Sequence, residues 1–132
     1  MSNHLSTVQT IYGHFQRGEV PQILERLADD VQWEHDSVDH GVPWLAAGRG
    51  RAHVGQFFAT LAAGLEITAF EPRSFLVNEA QVAVVIWFEA RSKRNDAVIR
   101  DLETHLWTFD EAGAVARFRH ICDTAQHRAA VG

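Results

Sequence analysis

The feature that most constrains the fold is an alternating stretch near the end of the chain, at residues 101–124. It contains two runs in which titratable and aromatic side chains recur at every second position, separated by residues 110–113. Side chains alternate across a strand, and Gly113 supplies the backbone freedom that a tight turn needs. The stretch is therefore predicted to form a β-hairpin.

The register of this hairpin decides which side chains meet. If Phe109 and Ala114 close a four-residue loop, Glu103 lies opposite His120, with Cβ atoms about 4.5–5.5 Å apart, and His105 lies opposite Phe118. One face then mixes titratable with aromatic side chains: Glu103, His105, Trp107, Phe109, Phe118, His120 and Cys122. Such a mixture predicts the wall of a pocket.

Composition excludes several classes of protein. The 132 residues suffice for one domain, residues 1–132, and the 46% apolar and 22% charged content is typical of a soluble globular protein. A formal charge of −5 without a basic run argues against nucleic acid as a partner. No apolar run is long enough to span a membrane, so no membrane partner is expected. A single cysteine excludes an internal disulfide and fits a cytoplasmic protein.

Helical spacing dominates the first half of the chain and strand alternation the second half. The predicted elements are a helix ending before Gly18, a shorter helix from Pro21 that ends before Asp29, a strand at 31–36, a loop at 37–50, a helix at 51–63, strands at 65–77, 82–93, 98–109 and 114–122, and a short helix capped by Asp123. This order predicts an α+β fold whose helices cover one face of a curved antiparallel sheet.

Four segments carry a resemblance to a known family. They are LADDVQWEHD at 27–36, VPWLAAGRGRAHVGQFF at 42–58, ETHLWTFD at 103–110 and RFRHICDTA at 117–125. In this order they resemble the nuclear transport factor 2-like superfamily, and within it the SnoaL-like and ketosteroid isomerase-related group. The resemblance implies a single cone-shaped domain of order α-α-β-α-β-β-β-β with a short C-terminal helix, built around a central pocket. It also implies a homodimer through the outer sheet face.

The resemblance also assigns roles to positions. His35 stands where ketosteroid isomerases carry their carboxylate base. His120 stands at the acid/base aspartate of SnoaL-type cyclases, and His105 at their pocket histidine. Ile86 and Phe88 occupy the positions of an Arg and an Asp in relatives that hydrolyse epoxides, so epoxide hydrolysis is not expected.

Chemistry supports the same residues as a catalytic set. Histidine titrates near neutral pH and can both take and return a proton. Glu103 opposite His120 would orient its ring and favour its charged form, while His35 would act across the cavity. His35, His105, His120 and Glu103 are therefore predicted to catalyse isomerisation, dehydration or cyclisation of a small hydrophobic carbonyl or polyketide-like compound, without a cofactor or a metal.

A larger group of mostly apolar residues is predicted to bind the substrate: Tyr12, Phe15, Trp33, Trp44, Phe57, Phe58, Leu61, Ile86, Phe88, Trp107, Phe118 and Cys122. His127 is interpreted as a surface residue, and Arg119 is placed on the outer sheet face. Two other functions stay open. One is a non-catalytic ligand-binding or scaffold protein, in which the histidines are hydrogen-bonded core residues. The other is a metal site built from the three histidines and Glu103.

Overall fold

The computed structural model describes residues 3–132, which form four helices and six strands. The helices are α1 (Asn3–Gln16), α2 (Val20–Leu24), α3 (Arg51–Gly64) and α4 (Thr124–Val131). The strands are β1 (Leu27–Trp33), β2 (Gly48–Arg49), β3 (Leu65–Val77), β4 (Gln81–Ser92), β5 (Val98–Phe109) and β6 (Val115–Ile121). A 3₁₀ turn over Pro43–Leu45 lies between β1 and β2.

The strands make one curved, unclosed sheet in the order β2-β1-β6-β5-β4-β3. The prediction of an α+β cone with helices on the concave side is confirmed. The sheet is mixed rather than wholly antiparallel, because β1 pairs in parallel with β6. β1 is the first long strand of the chain and β6 is the last. The two lie side by side in the sheet and run in the same direction.

Burial alternates along the central strands as the sequence pattern predicts. In β4 every even-numbered residue from Val82 to Ser92 is buried, and in β5 the inner face carries Glu103, His105 and Trp107. This inner face packs against apolar side chains of α1 and α3. The helices and the sheet thus enclose a core that contains both aromatic and titratable groups. Within residues 3–132, no helix is both long and apolar enough to cross a membrane.

The first strand lies earlier in the chain than predicted. It begins at Leu27 and ends at Trp33, and it includes the two aspartates that were expected to end α2. Both aspartates are exposed, so strand pairing costs their carboxylates no desolvation. Beyond Trp33 the chain turns sharply, because Glu34 and Asp36 adopt φ angles of 54° and 61°. His35 therefore lies in a turn and not on a strand.

The hairpin forms, but its predicted register is wrong by two residues. His105 pairs with His120, and Trp107 pairs with Phe118. Phe109 pairs with Val115 and not with Ala114, so the loop is one residue longer than predicted, and a β-bulge between Thr108 and Phe109 adds the second residue. A two-residue slip preserves the faces, because the side-chain period of a strand is two. The same side chains therefore still point inward, with different neighbours.

Candidate active site

A cavity lies between α1, α3 and the inner face of the sheet, and it is called the aromatic cavity here. Its lining is largely apolar, with three imidazoles and one carboxylate: Ile11, Tyr12, Phe15, Ile23, Trp33, Trp44, Phe57, Phe58, Leu61, Ile67, Phe70, Phe88, Glu103, His105, Trp107, Phe118, His120 and His127. Its free space is about 50 Å³, against roughly 300–1,000 Å³ for pockets that bury a drug-sized ligand. A guest of more than a few atoms therefore requires the aromatic side chains to move.

The carboxylate that holds His120 is Glu34, at the end of β1. One oxygen of Glu34 accepts from the His120 backbone N–H at 3.0 Å, and the other bonds to the His120 Nδ1 atom. Glu34 is 2% exposed, so this contact is shielded from water. Because Nδ1 is engaged with a carboxylate, the Nε2 atom of His120 is the ring nitrogen available to a guest.

The second imidazole, His105, is held by a phenol. The Trp107 indole donates to the Tyr12 hydroxyl oxygen at 3.0 Å, and that hydroxyl lies 2.8 Å from His105 Nδ1. Since Tyr12 already accepts from Trp107, its own proton is best donated to His105 Nδ1. The neutral His105 ring then carries its proton on Nε2, where it is a hydrogen-bond donor.

The two rings face each other at 4.6 Å between centroids, almost perpendicular. Burial alone lowers the pKa of His120, but the Glu34 carboxylate and its hydrogen bond, with Glu103 further away, raise that pKa above its usual value. Burial, followed by the positive charge on His120, holds the pKa of His105 well below its usual value. The pair therefore combines a basic imidazole with a neutral one.

Glu103 makes a different contact from the one predicted. Its Oε2 lies 2.8 Å from Nε2 of His127, and the His127 Nδ1 accepts from the Trp44 indole at 2.8 Å. His127 is 2% exposed, which corrects its interpretation as a surface residue. This network joins β5, α4 and the 3₁₀ turn, and it closes one end of the aromatic cavity.

Three predicted site residues lie outside the lining of the aromatic cavity. The Nδ1 of His35 lies 3.2 Å from the carboxylate of Asp36, in the turn after β1. Ile86 is fully buried in the core, and Cys122 lines a different cavity. Burial and the neighbouring carboxylates raise the pKa of the Cys122 thiol, which disfavours a thiolate. The other predicted catalytic and substrate-binding residues line the aromatic cavity; their roles stay predictions.

Sequence reasoning missed Glu34 and His127. Strand alternation from Val31 and Trp33 assigns Glu34 to the outer face, and only its left-handed backbone turns the side chain inward. His127 carried a usable signal. Asp123 caps α4, which sets the start of the helix. Ala130 lies three residues beyond His127, so helical spacing places His127 and Ala130 on one buried face.

Two groups of side chains have potential ligand atoms within 4.8 Å of one another. They are Glu103 with His105 and His120, and Glu103 with Cys122 and His127. Within the first group, contacts to Tyr12, Glu34 and His127 already account for the orientation of each side chain. A metal analysis of the purified protein tests whether either group also holds an ion.

Comparison with known proteins places the chain in a family. The model of the SnoaL-like domain matches residues 8–118. The chain belongs to this SnoaL-like family. No protein of curated function matched the sequence.

Solved structures with the same fold cover almost the whole SnoaL-like chain. An NTF2-like protein of unknown function from Burkholderia pseudomallei is 25% identical, with a TM-score of 0.86 over 99% of this chain and 98% of that one. An NTF2-like protein from Burkholderia xenovorans is 22% identical, with a TM-score of 0.85 over 98% and 95%. TerC, co-crystallised with polyporic acid, is 22% identical, with a TM-score of 0.79 over 99% and 100%.

Proposed function

We propose that this SnoaL-like protein binds a small hydrophobic carbonyl or polyketide-like compound and catalyses its isomerisation, dehydration or cyclisation by acid/base chemistry, with no cofactor. The observation that carries the proposal is the buried pair of Glu34 and His120, which faces a neutral His105 inside an aromatic cavity. A carboxylate behind a basic imidazole is an arrangement that moves protons efficiently near neutral pH.

The proposed step begins with the neutral form of His120. Its Nε2 lone pair takes a proton from the carbon next to the carbonyl of the substrate, and the electrons of the C–H bond form the enolate. The Nε2–H of His105 donates to the oxygen on which negative charge develops. Glu34 stabilises the imidazolium that forms.

The same imidazolium then completes the reaction. Return of its proton to a different carbon gives an isomer. Transfer to a β-hydroxyl group, with loss of water and formation of a C=C bond, gives dehydration. Either route restores the neutral His120, so one group serves as both base and acid.

Two further observations support this substrate class. The lining of the aromatic cavity is dominated by rings, which suits a flat apolar molecule. The similarly folded TerC was co-crystallised with polyporic acid. We therefore propose a compact planar substrate.

The pH dependence of the rate tests the role of Glu34. The raised pKa of His120 keeps its ring protonated to higher pH, so the base form accumulates only above pH 6.5. Catalysed deuterium exchange into the probe ketone 2-tetralone, followed by NMR in D₂O, is expected to rise with pH through a midpoint above 6.5. Glu34→Gln removes the raising charge but leaves the burial, so the midpoint is expected to move downward. A midpoint that stays or moves upward contradicts the assignment.

A second candidate function, ligand binding without turnover, is favoured by the contacts to Tyr12 and Glu34, which make His105 and His120 hydrogen-bonded residues of the interior. Thermal-shift measurements separate it from catalysis. If 2-tetralone stabilises wild type and His120→Gln equally while neither accelerates exchange, the protein is a binding protein.

We also propose that the outer sheet face forms a homodimer. Large apolar residues are exposed there, with Leu76, Leu102 and Ile121 at 57%, 55% and 54%. Leu102→Glu would bury a charge in such an interface, and we expect it to convert the dimer to a monomer. Sedimentation equilibrium measures this change; Val38→Glu, on an exposed loop residue, is the control. A monomeric wild type, or a dimer unaffected by Leu102→Glu, rejects this interface.

A further inference from the structure

A second cavity, called the polar cavity here, lies on the other side of His120. Its lining contains three hydroxyl or thiol groups, two imidazoles, a carboxylate and a guanidinium: Glu34, Ser37, His40, Leu45, Arg119, His120, Ile121, Cys122 and Thr124. Its volume of about 160 Å³ exceeds that of the aromatic cavity. His120 lines both spaces, so the proposed base stands between an apolar compartment and a polar one.

The polar cavity exists because β6 extends beyond the end of β1. The parallel ladder stops at the pairing of Trp33 with Phe118, and the turn after β1 then leaves the sheet. The Glu34 side chain bonds the next free N–H of β6, that of His120. The following segment returns over this edge through His40 and Leu45, and the space beneath it is the cavity.

Among the residues that the structure describes, Arg119 is the charged side chain of this lining that has no carboxylate partner. Its Nη1 donates to the backbone oxygens of His35 and Asp36, at 3.2 and 2.8 Å. Among residues 3–132, no carboxylate lies within 4.0 Å of its guanidinium, whereas Glu34 is paired with His120. Arg119 shares the outer sheet face with Ile121, as expected, and these carbonyls hold its guanidinium at the cavity. A guanidinium fixed by neutral groups keeps its charge and its remaining N–H donors for an anion.

We propose that the polar cavity is a subsite for a carboxylate carried by the substrate, with Arg119 as its binding partner. This inference rests on the proposed function: the ring of the substrate lies in the aromatic cavity, its carboxylate lies in the polar cavity, and the reacting carbon lies next to His120. Arg119 then determines specificity, selecting aromatic or alicyclic keto acids over neutral ketones of the same size.

Equilibrium binding of two matched probes tests the subsite without turnover. The probes are 4-hydroxybenzoate and its methyl ester, which share a ring and differ in charge, with affinities measured by isothermal titration calorimetry. Wild type is expected to bind the acid about 10- to 100-fold more tightly than the ester, the usual range for a hydrogen bond to a charged group. Arg119→Gln is expected to abolish this difference and to leave the affinity for the ester unchanged.

Arg117→Gln is the matched control, because Arg117 is exposed and lies two residues away on the same strand. It is expected to keep the wild-type preference. Arg119→Lys, which retains the charge, is expected to keep part of it, and so separates loss of charge from disturbance of the turn. A wild type that does not prefer the acid, or a preference that survives Arg119→Gln, overturns the subsite. Acid preference in a protein that does not catalyse exchange even at saturating 2-tetralone, where weaker binding of a neutral ketone no longer limits the rate, supports the subsite and contradicts only the proposed reaction.

Discussion

Replacing His120 with glutamine is expected to slow catalysed deuterium exchange into 2-tetralone by about 10²- to 10⁴-fold, the range attributed to general acid–base catalysis. Glutamine has a similar length and can still hydrogen-bond to Glu34, but it has no lone pair basic enough to take a proton from carbon. The loss is expected in the rate constant for exchange rather than in the affinity for the ketone. NMR measurement of exchange at saturating ketone separates the two effects.

The chain contains a matched control for this substitution. His14 and Glu19 also form a histidine–glutamate pair, at 2.7 Å, but at the end of α1 and outside the lining of the aromatic cavity. His14→Gln therefore makes the same chemical change in a similar pair, and we expect exchange within about twofold of wild type. If His120→Gln keeps more than about a third of the wild-type rate constant, His120 is not the base.

Truncation of Trp33 to alanine is expected to lower the free energy of unfolding by about 3–5 kcal/mol, the usual cost of deleting a large buried aromatic side chain. Trp33 is 1% exposed and stacks on Phe118 at 4.1 Å between centroids. It also contacts Phe57 of α3, so its ring joins the helical layer to the sheet. Urea denaturation of the purified variant measures the loss, through the shift in midpoint at constant slope.

Two other substitutions locate the source of that loss. The Nε1 of Trp33 is buried without a hydrogen-bond partner among residues 3–132, so Trp33→Phe gives up no hydrogen bond and is expected to cost much less than Trp33→Ala. Trp87 is half-buried and bonded to Glu89; Trp87→Ala is expected to cost less than Trp33→Ala. A loss of less than about 1 kcal/mol in Trp33→Ala contradicts the role of this ring in the core.

Much of the fold could be predicted because period-two alternation is a local signal. It located β3 and β5 to the residue, at Leu65–Val77 and Val98–Phe109. The pairing of the strands is harder to predict, since one extra residue in the loop and one in a bulge together moved the partner of His105 from Phe118 to His120 without changing the alternation of either strand. The parallel entry of β1 beside β6 depends on contacts between the two ends of the chain and leaves no mark in either strand.

Most of the side chains of the candidate site were predicted from the sequence, but the contact between Glu34 and His120 was not. Titratable residues alternating with aromatics indicated the wall that carries Glu103, His105 and His120. The predicted partner of His120 was wrong because Glu34 adopts a positive φ angle. Glutamate usually avoids such an angle, so the sequence did not indicate it. The sequence therefore predicted which imidazoles line the cavity, whereas the carboxylate that pairs with His120 depended on one backbone angle.

The two oxygens of the Glu34 carboxylate make two different contacts. One of its oxygens completes the hydrogen bonding of β6 where β1 leaves the sheet, and the other holds the ring of His120. Shortening it to aspartate would withdraw both oxygens together, so the end of β6 and the ring of His120 would be disturbed at the same time. Substitutions of the aromatic residues that line the aromatic cavity are therefore expected to reshape it without loosening the edge of the sheet, whereas shortening the side chain at position 34 is expected to do both.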